Sequence, residues 1–192
     1  MPSQFKRLYD RDAPLSEALP RLVAEHAERY RGMSLVALAD ELQDAMCKSG
    51  MTELTEGMYA QLPEPVTAPA TAYEQLVEGT IELVVDQLAG RVSAAMVVPY
   101  PPGIPVIMPG ERFPHAGSAL IRYLTTSQEL DARFPAFETE IHGIDVQPDG
   151  SYRVPCLVDL AAPGARASRD YPETDHGEHR IATPPPPLRL TI

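Results

Sequence analysis

The sequence predicts an α+β fold, with a helical first half followed by a small, mostly antiparallel sheet and one further helix. Apolar residues recur at helical spacing up to Gly79, and in several short segments beyond it they alternate with polar residues as in strands. The 21 prolines, about twice the usual share, divide the chain into short elements.

Four short helices are predicted in the first half. The segment Asp12-Ala13-Pro14 predicts a helix start, with a capping aspartate and a proline in the first turn, and Pro20 should break or kink this first helix. Ser34 is the expected N-cap of the second helix, and Gly50 is its C-terminal glycine. The third helix is expected over residues 52–62, and the fourth ends at Gly79.

The second half is predicted to contain short strands and one helix. Alternation around Leu83 and Val154 indicates two strands, and Pro155 places the closing strand at a sheet edge. A helix is expected over residues 117–133, where apolar residues return to helical spacing. Two further strands are expected over residues 92–98 and 138–144.

The predicted domain covers residues 1–159, of which 1–79 are mainly helical and 80–159 form the sheet and its helix. Residues 160–192 are expected to be a disordered tail, because polar residues dominate there and Pro184 to Pro187 form a polyproline run. The acidic residues and histidines from Asp175 to His179 could catch a metal ion only weakly, so solvated chain is the simpler interpretation.

The composition argues against several classes of partner. A net charge of −11 argues against nucleic acid or an anionic membrane as the main partner. The charge is compatible with cationic substrates, but the need for solubility is a sufficient explanation of it. Cys47 and Cys156 form neither a disulfide framework nor a zinc site. No apolar signal segment follows Met1, and no apolar run is long enough to cross a bilayer, so we expect a cytoplasmic protein.

A proline-rich segment, Pro99 to Glu111, stands out in the second half. It has five prolines and two glycines in thirteen residues, which excludes a helix or a central strand. Such a segment has few accessible conformations, so it can hold an irregular shape at modest entropic cost. We name it the proline loop.

Four segments of the second half carry a family resemblance. They read Gly90-Arg91-Val92, Pro99-Tyr100-Pro101-Pro102-Gly103-Ile104-Pro105, Met108-Pro109-Gly110-Glu111 and Phe137-Glu138-Thr139-Glu140-Ile141-His142-Gly143. They closely resemble the C-terminal domain of large bacterial ornithine/lysine/arginine decarboxylases, which depend on pyridoxal phosphate (PLP). The resemblance extends from about residue 4 to residue 158.

The resemblance implies a fold and a role. The family's C-terminal domain has an α+β fold and contributes a wall of the channel that leads to the active site. The full-length enzymes are homo-oligomers, bind PLP in other domains, and remove the α-carboxylate from basic amino acids. The implied partners are therefore the PLP-binding domains of a decarboxylase, in the same or a separate chain.

The residues that bind PLP in the family are missing from this sequence. PLP catalysis needs a lysine for the Schiff base, and Lys6 and Lys48 both lie outside the family's Ser-X-His-Lys setting. We therefore expect the chain to bind no cofactor and to be inactive alone. The sequence leaves the origin of the chain open: it is an excised domain, a subunit of a split enzyme or a truncated gene product. It also leaves open which basic amino acid the parent enzyme uses.

The resemblance makes part of the proline loop the candidate channel or interface surface, namely Tyr100, Pro101, Pro102, Gly103 and Glu111. Glu111 either meets a cationic substrate or holds the loop by accepting backbone N–H groups. Tyr100 either lines the channel or packs on the neighbouring prolines.

A second, weaker candidate group is Glu138, Glu140 and His142, which would share one face of a strand. Two carboxylates and an imidazole could bind a metal ion or carry out acid–base chemistry. Because no second histidine lies nearby, a hydrogen-bonded strand with a purely structural role is the simpler interpretation. Phe137 and Ile141 would lie on the opposite face, in the core.

Two alternatives remain open. One is a stand-alone module that binds a decarboxylase or another protein through the same surface. The other is a small domain that binds polyamines or basic amino acids at an acidic face.

Overall fold

The computed structural model describes residues 12–158, which fold as an α+β domain. The helices are α1 (Leu15–Ala18), α2 (Pro20–Glu25), α3 (Ala27–Tyr30), α4 (Leu35–Ser49), α5 (Met51–Ala60), α6 (Pro69–Glu78) and α7 (Ala119–Arg133), with a 3-10 turn at Val85–Gln87. The strands are β1 (Glu64–Pro65), β2 (Thr80–Val84), β3 (Val98–Tyr100), β4 (Glu111–Arg112), β5 (Glu140–His142), β6 (Asp145–Val146) and β7 (Tyr152–Leu157).

Local sequence signals set the helix boundaries. The predicted break at Pro20 is confirmed, because α1 ends at Ala18 and Pro20 is the first residue of α2. The hydroxyl of Ser34 accepts the N–H of Ala37 and caps α4 as predicted. Gly50, with φ +68°, ends α4 and lets α5 begin in the next residue.

The strands within residues 12–158 pair antiparallel in three small sheets. β2, β7 and β6 form one sheet in that order, β3 pairs with β5, and β1 pairs with β4. Tyr152, Val154 and Cys156 point into the core as their alternation predicted.

Three predictions about the second half are wrong in detail. The expected strand over residues 92–98 is mostly a series of isolated bridges, because Val92, Ser93 and Val97 each pair with a different segment. Pro155 was expected at a sheet edge but lies in β7, the middle strand of its sheet. A proline is accommodated there because the short β6 pairs only with Tyr152 and Arg153 and ends before Pro155.

The third error concerns Phe137, which is 41% exposed and not part of the core. The chain turns at Ala136, where φ is +71°, and β5 begins only at Glu140. Phe137 therefore does not lie on the strand from which its burial was predicted. Ile141, which does lie on β5, packs against the main core.

The main core lies between α5, α7 and the sheet of β2 and β7. Leu54 and Met58 of α5 meet Leu124 of α7, and Val154 of β7 closes the other side. Gly57 permits this close approach, because a Cβ there would lie 2.9 Å from the Cβ of Ala119. A second cluster joins the short N-terminal helices to α4 and to Phe134 at the end of α7.

Some predictions lie outside the described residues: the tail over residues 160–192, its cluster from Asp175 to His179, and Lys6. In the described part of the chain, no helix combines the length and apolar character that a membrane span requires.

Candidate functional site: the proline loop and its groove

The proline loop is anchored at its C-terminal half and exposed at its tip. The N–H of Val97 donates to the carbonyl of Ile107 at 3.0 Å, and the N–H of Val106 donates to the carbonyl of Val97 at 2.9 Å. Val106 and Ile107 are buried, whereas Pro101, Pro102 and Ile104 are exposed. The core therefore holds the loop while its tip faces outward.

Glu111 closes the end of the loop. Its carboxylate oxygen Oε2 accepts the N–H of Met108 at 2.7 Å, and its own N–H donates to the Met108 carbonyl at 3.1 Å. The Glu111 carbonyl accepts the N–H of Ser93 at 2.8 Å. This is the contact expected of a carboxylate that holds the loop, and contact with a cationic substrate stays a prediction.

Tyr100 sits at the start of the loop, on β3, directly opposite Glu140 of β5. Its ring lies 4.7 Å from the ring of His142, centroid to centroid. A Cβ at Gly103 would lie 2.9 Å from Cε1 of Tyr100, so the absence of a side chain at Gly103 makes room for this ring. Tyr100 thus packs on Gly103 and His142.

An open apolar groove of about 220 Å³ lies beside Tyr100. Exposed Tyr100 and Phe137 form its rim, and buried Tyr123 and Phe134 form its floor. We name it the aromatic groove. Its remaining lining residues come from α4, α5, α7 and the loops: Leu42, Met46, Met51, Thr55, Pro101, Leu130 and Thr139.

A buried polar cluster behind the groove was missed by the sequence analysis. Asp131 of α7 accepts the N–H of Thr139 at 2.8 Å and also accepts the hydroxyl of Tyr152. Burial, followed by the hydrogen bond to Asp131, raises the pKa of Tyr152. The signal that could have shown it is the helical spacing of Asp131 with Leu120 and Leu124, which places an acid on the core face of α7.

The second candidate group is only partly assembled. The Nε2 atom of His142 lies 2.9 Å from Oε1 of Glu140, and both side chains are exposed. Glu138 precedes the strand and accepts the N–H of Ala136 at 2.7 Å. Within residues 12–158 no set of three or more histidine, cysteine or acidic residues could hold a metal ion.

The described residues do not fit PLP. Lys48 is the lysine of this part of the chain, and its ammonium donates to Asp44 at 2.8 Å on the exposed surface of α4. No lysine lines the aromatic groove. We therefore derive no chemical step through that cofactor.

Comparison with known proteins places this geometry in context. Residues 52–158 match the sequence profile of the family described as Orn/Lys/Arg decarboxylase, C-terminal domain. The lysine decarboxylase LdcA of Pseudomonas aeruginosa is 39% identical over 158 residues, which are 80% of this chain and 21% of LdcA. The biodegradative arginine decarboxylase of Escherichia coli is 36% identical over 154 residues, which are 80% of this chain and 20% of that enzyme.

A solved structure shows the same relation. The constitutive lysine decarboxylase of E. coli superposes with a TM-score of 0.73 at 35% identity, over 81% of this chain and 22% of the solved one. The chain thus spans about one fifth of the length of the relatives that it matches.

Proposed function

This chain belongs to the family of Orn/Lys/Arg decarboxylase C-terminal domains, and we propose that it supplies a channel wall and inter-domain contacts to a PLP-dependent decarboxylase of lysine, arginine or ornithine. The partner is the set of PLP-binding domains, in the same or a separate polypeptide of a cytoplasmic homo-oligomer. The observation that carries the proposal is the exposed apolar tip of the proline loop beside an open aromatic groove.

The exposed apolar surface is the main support for a docking role. Met46, Tyr100 and Phe137 all line the groove and are each more than 40% exposed, and Ile104 is exposed at the loop tip. Contiguous exposed apolar surface usually marks an interaction site. Full burial of a large apolar side chain contributes roughly 1.5–3 kcal/mol. Burial of the exposed parts of these four side chains by a partner would therefore stabilise the interface by several kcal/mol.

The rigidity of the loop supports a channel role. Glu111 and the buried pair Val106 and Ile107 fix the loop before any partner binds, so docking costs little ordering entropy. We assign Tyr100, Pro101, Pro102 and Gly103 to the surface that faces the partner and the channel. Glu140 and His142, next to Tyr100, would lie at its edge.

The chain would provide shape and contacts, and the other domains would provide the cofactor chemistry. Residues 12–158 would act as a single domain that is inactive alone. A separate role in binding polyamines gains no support from the groove, because none of its lining residues is acidic.

The test is a chimera in which residues 12–158 replace the matching C-terminal domain of Pseudomonas aeruginosa LdcA. We expect the chimera to release CO2 from lysine, whereas LdcA without that domain and this chain alone, each given PLP, should release none. Ile104→Ser in the chimera should reduce kcat/KM, because it removes an apolar contact at the loop tip.

The matched control is Val146→Ser in the chimera, because Val146 is similarly exposed but lies on β6, in a different sheet. A folded chimera that retains PLP but does not decarboxylate lysine would contradict the proposal. Equal effects of the two serine variants would contradict the assigned surface.

A further inference from the structure

The tip of the proline loop, residues 101–105, makes few backbone hydrogen bonds. Three of its five residues are prolines, which lack an N–H donor. The N–H of Gly103 donates to the Pro99 carbonyl at 2.9 Å, and this bond closes the turn of the loop on itself. A contact from another element is therefore needed to fix the orientation of the tip relative to the rest of the domain.

Tyr59 of α5 supplies that contact. Its hydroxyl donates to the carbonyl of Ile104 at 3.1 Å. Within residues 12–158, no other hydrogen bond joins the tip to another element. Burial raises the pKa of Tyr59 above its ordinary value of 10.0, so the hydroxyl keeps its proton and remains a donor at neutral pH.

The helical spacing of α5 places Tyr59 at this point. Met51 and Thr55 line the aromatic groove, and Tyr59 follows Thr55 by four residues, which puts all three on one face of the helix. The ring of Tyr59 packs against the main core. The same face of α5 thus borders the groove and then contacts the tip. A phenylalanine at this position would remove the hydroxyl and keep the ring.

We infer that Tyr59 is a positioning residue, whose hydroxyl keeps Ile104 and the rest of the tip in the orientation in which they form the channel wall. The contact with the tip is a property of this domain, whereas its effect on catalysis rests on the proposed function. An exposed neutral hydrogen bond shifts the equilibrium between a bound and a released tip by roughly two- to fivefold. The apparent affinity for substrate is reduced by the fraction of the tip that is released.

The first test measures the tip in the full chain by NMR relaxation of backbone amides. Gly103 and Ile104 are the tip residues that have an N–H. In Tyr59→Phe their order parameters should fall, whereas that of buried Ile107 should stay near the rigid value of about 0.85. Tyr73→Phe is the matched control, because Tyr73 is exposed on α6 and loses the same hydroxyl. It should change none of the three amides.

The second test measures catalysis in the chimera with LdcA. Tyr59→Phe should raise KM for lysine by about two- to fivefold and leave kcat nearly unchanged, because the chemistry takes place in the other domains. A substitution that merely destabilised the domain would lower the apparent kcat at an unchanged KM. Combination with Ile104→Ser should be non-additive, because both substitutions act through the tip. Tyr73→Phe should match the unsubstituted chimera.

Unchanged order parameters at Gly103 and Ile104 in Tyr59→Phe would overturn the inference, because the hydroxyl would not fix the tip. An unchanged KM in an active chimera, or additive effects with Ile104→Ser, would overturn the positioning role. An unsubstituted chimera that is folded but inactive would instead count against the proposed function, and the relaxation data would still decide whether Tyr59 fixes the tip.

Discussion

At the residue scale, the carboxylate of Glu111 and the missing side chain of Gly143 determine how the proline loop and the segments next to it pack. Glu111 receives a backbone N–H from Met108, the kind of charge-assisted bond that is stronger than a neutral one. Gly143 lets the chain pass against Met96, because a Cβ there would lie 2.1 Å from the Met96 carbonyl oxygen. The first contact lies within the proline loop, whereas the second joins segments that only the fold brings together.

Replacement of Glu111 by alanine should destabilise the domain. Glu111→Ala leaves the N–H of Met108 without its acceptor, so we expect the free energy of unfolding to fall by about 1.5–3 kcal/mol. Urea denaturation followed by circular dichroism measures this change. Glu129→Ala is the matched control, because Glu129 is an exposed glutamate on α7. Equal losses for the two variants would show that the loop does not depend on the Glu111 carboxylate.

Alanine substitutions at Gly143 and Gly150 separate the cost of a left-handed backbone conformation from the cost of a steric clash. Gly143 has φ +84° and Gly150 has φ +81°, but a Cβ at Gly150 meets no atom within 4 Å. Gly150→Ala should cost about 1–2 kcal/mol for the left-handed conformation alone, and Gly143→Ala about 3 kcal/mol or more. Thermal unfolding of the two variants side by side tests this order, and a smaller loss for Gly143→Ala would refute the close approach to Met96.

At the element scale, a charged cluster ties the N-terminal helices to α4 and α7. Glu41 of α4 accepts from Arg29 of α3 at 2.8 Å and from Arg133 of α7 at 2.9 Å. The guanidinium groups of Arg29 and Arg133 also lie over the ring of Phe134, each 5.0 Å from its centroid. The cluster therefore fixes the end of α7, from which Phe134 contributes to the groove floor.

The Glu41 cluster should make stability depend on acid pH. The hydrogen bonds from Arg133 and Arg29 hold the pKa of Glu41 below its usual value of 4.5. A lowered carboxyl pKa stabilises the fold above the unfolded-state value, and this contribution is lost as the pH falls through the folded-state value. Melting temperatures measured down to acid pH should show a loss for the wild type that is about 2 °C larger than for Glu41→Gln.

Glu56→Gln provides the control for this pH series, because Glu56 is exposed on α5 and undergoes the same chemical change. Its melting temperature should follow the wild type at every pH. If Glu41→Gln follows the wild type as closely, the cluster does not contribute to stability.

At the scale of the whole molecule, one main hydrophobic cluster runs through the described residues 12–158. The main cluster joins both halves of the chain, because it contains Leu54 and Met58 of the helical half together with Leu124 and Val154 of the second half. The halves predicted from sequence, 1–79 and 80–159, are thus compositional regions of one packed unit within the described residues. A cooperative unfolding transition follows from such a shared core.

Removal of residues 159–192 should leave that transition nearly intact. We expect the free energy of unfolding to change by less than about 1 kcal/mol, because the hydrophobic clusters of the described structure are built from residues 12–158. Urea denaturation of the full and shortened chains checks this. A shortened chain that loses cooperative unfolding would place part of the core beyond residue 158.

The sequence by itself determined the break at Pro20, the two ends of α4, the proline loop and the family to which the chain belongs. These features depend on neighbours in the chain: Ser34 and Gly50 act on the backbone beside them, and the loop carries its own signature. Tertiary structure alone decided the exposure of Phe137, the central place of Pro155, the buried pair of Asp131 and Tyr152, and the aromatic groove. The exposure of Phe137 follows from the turn at Ala136, which the strand pattern did not predict. Helical spacing places Asp131 on the core face of α7, but its partner Tyr152, the place of Pro155 and the groove depend on contacts between residues distant in the chain, which a single sequence does not specify.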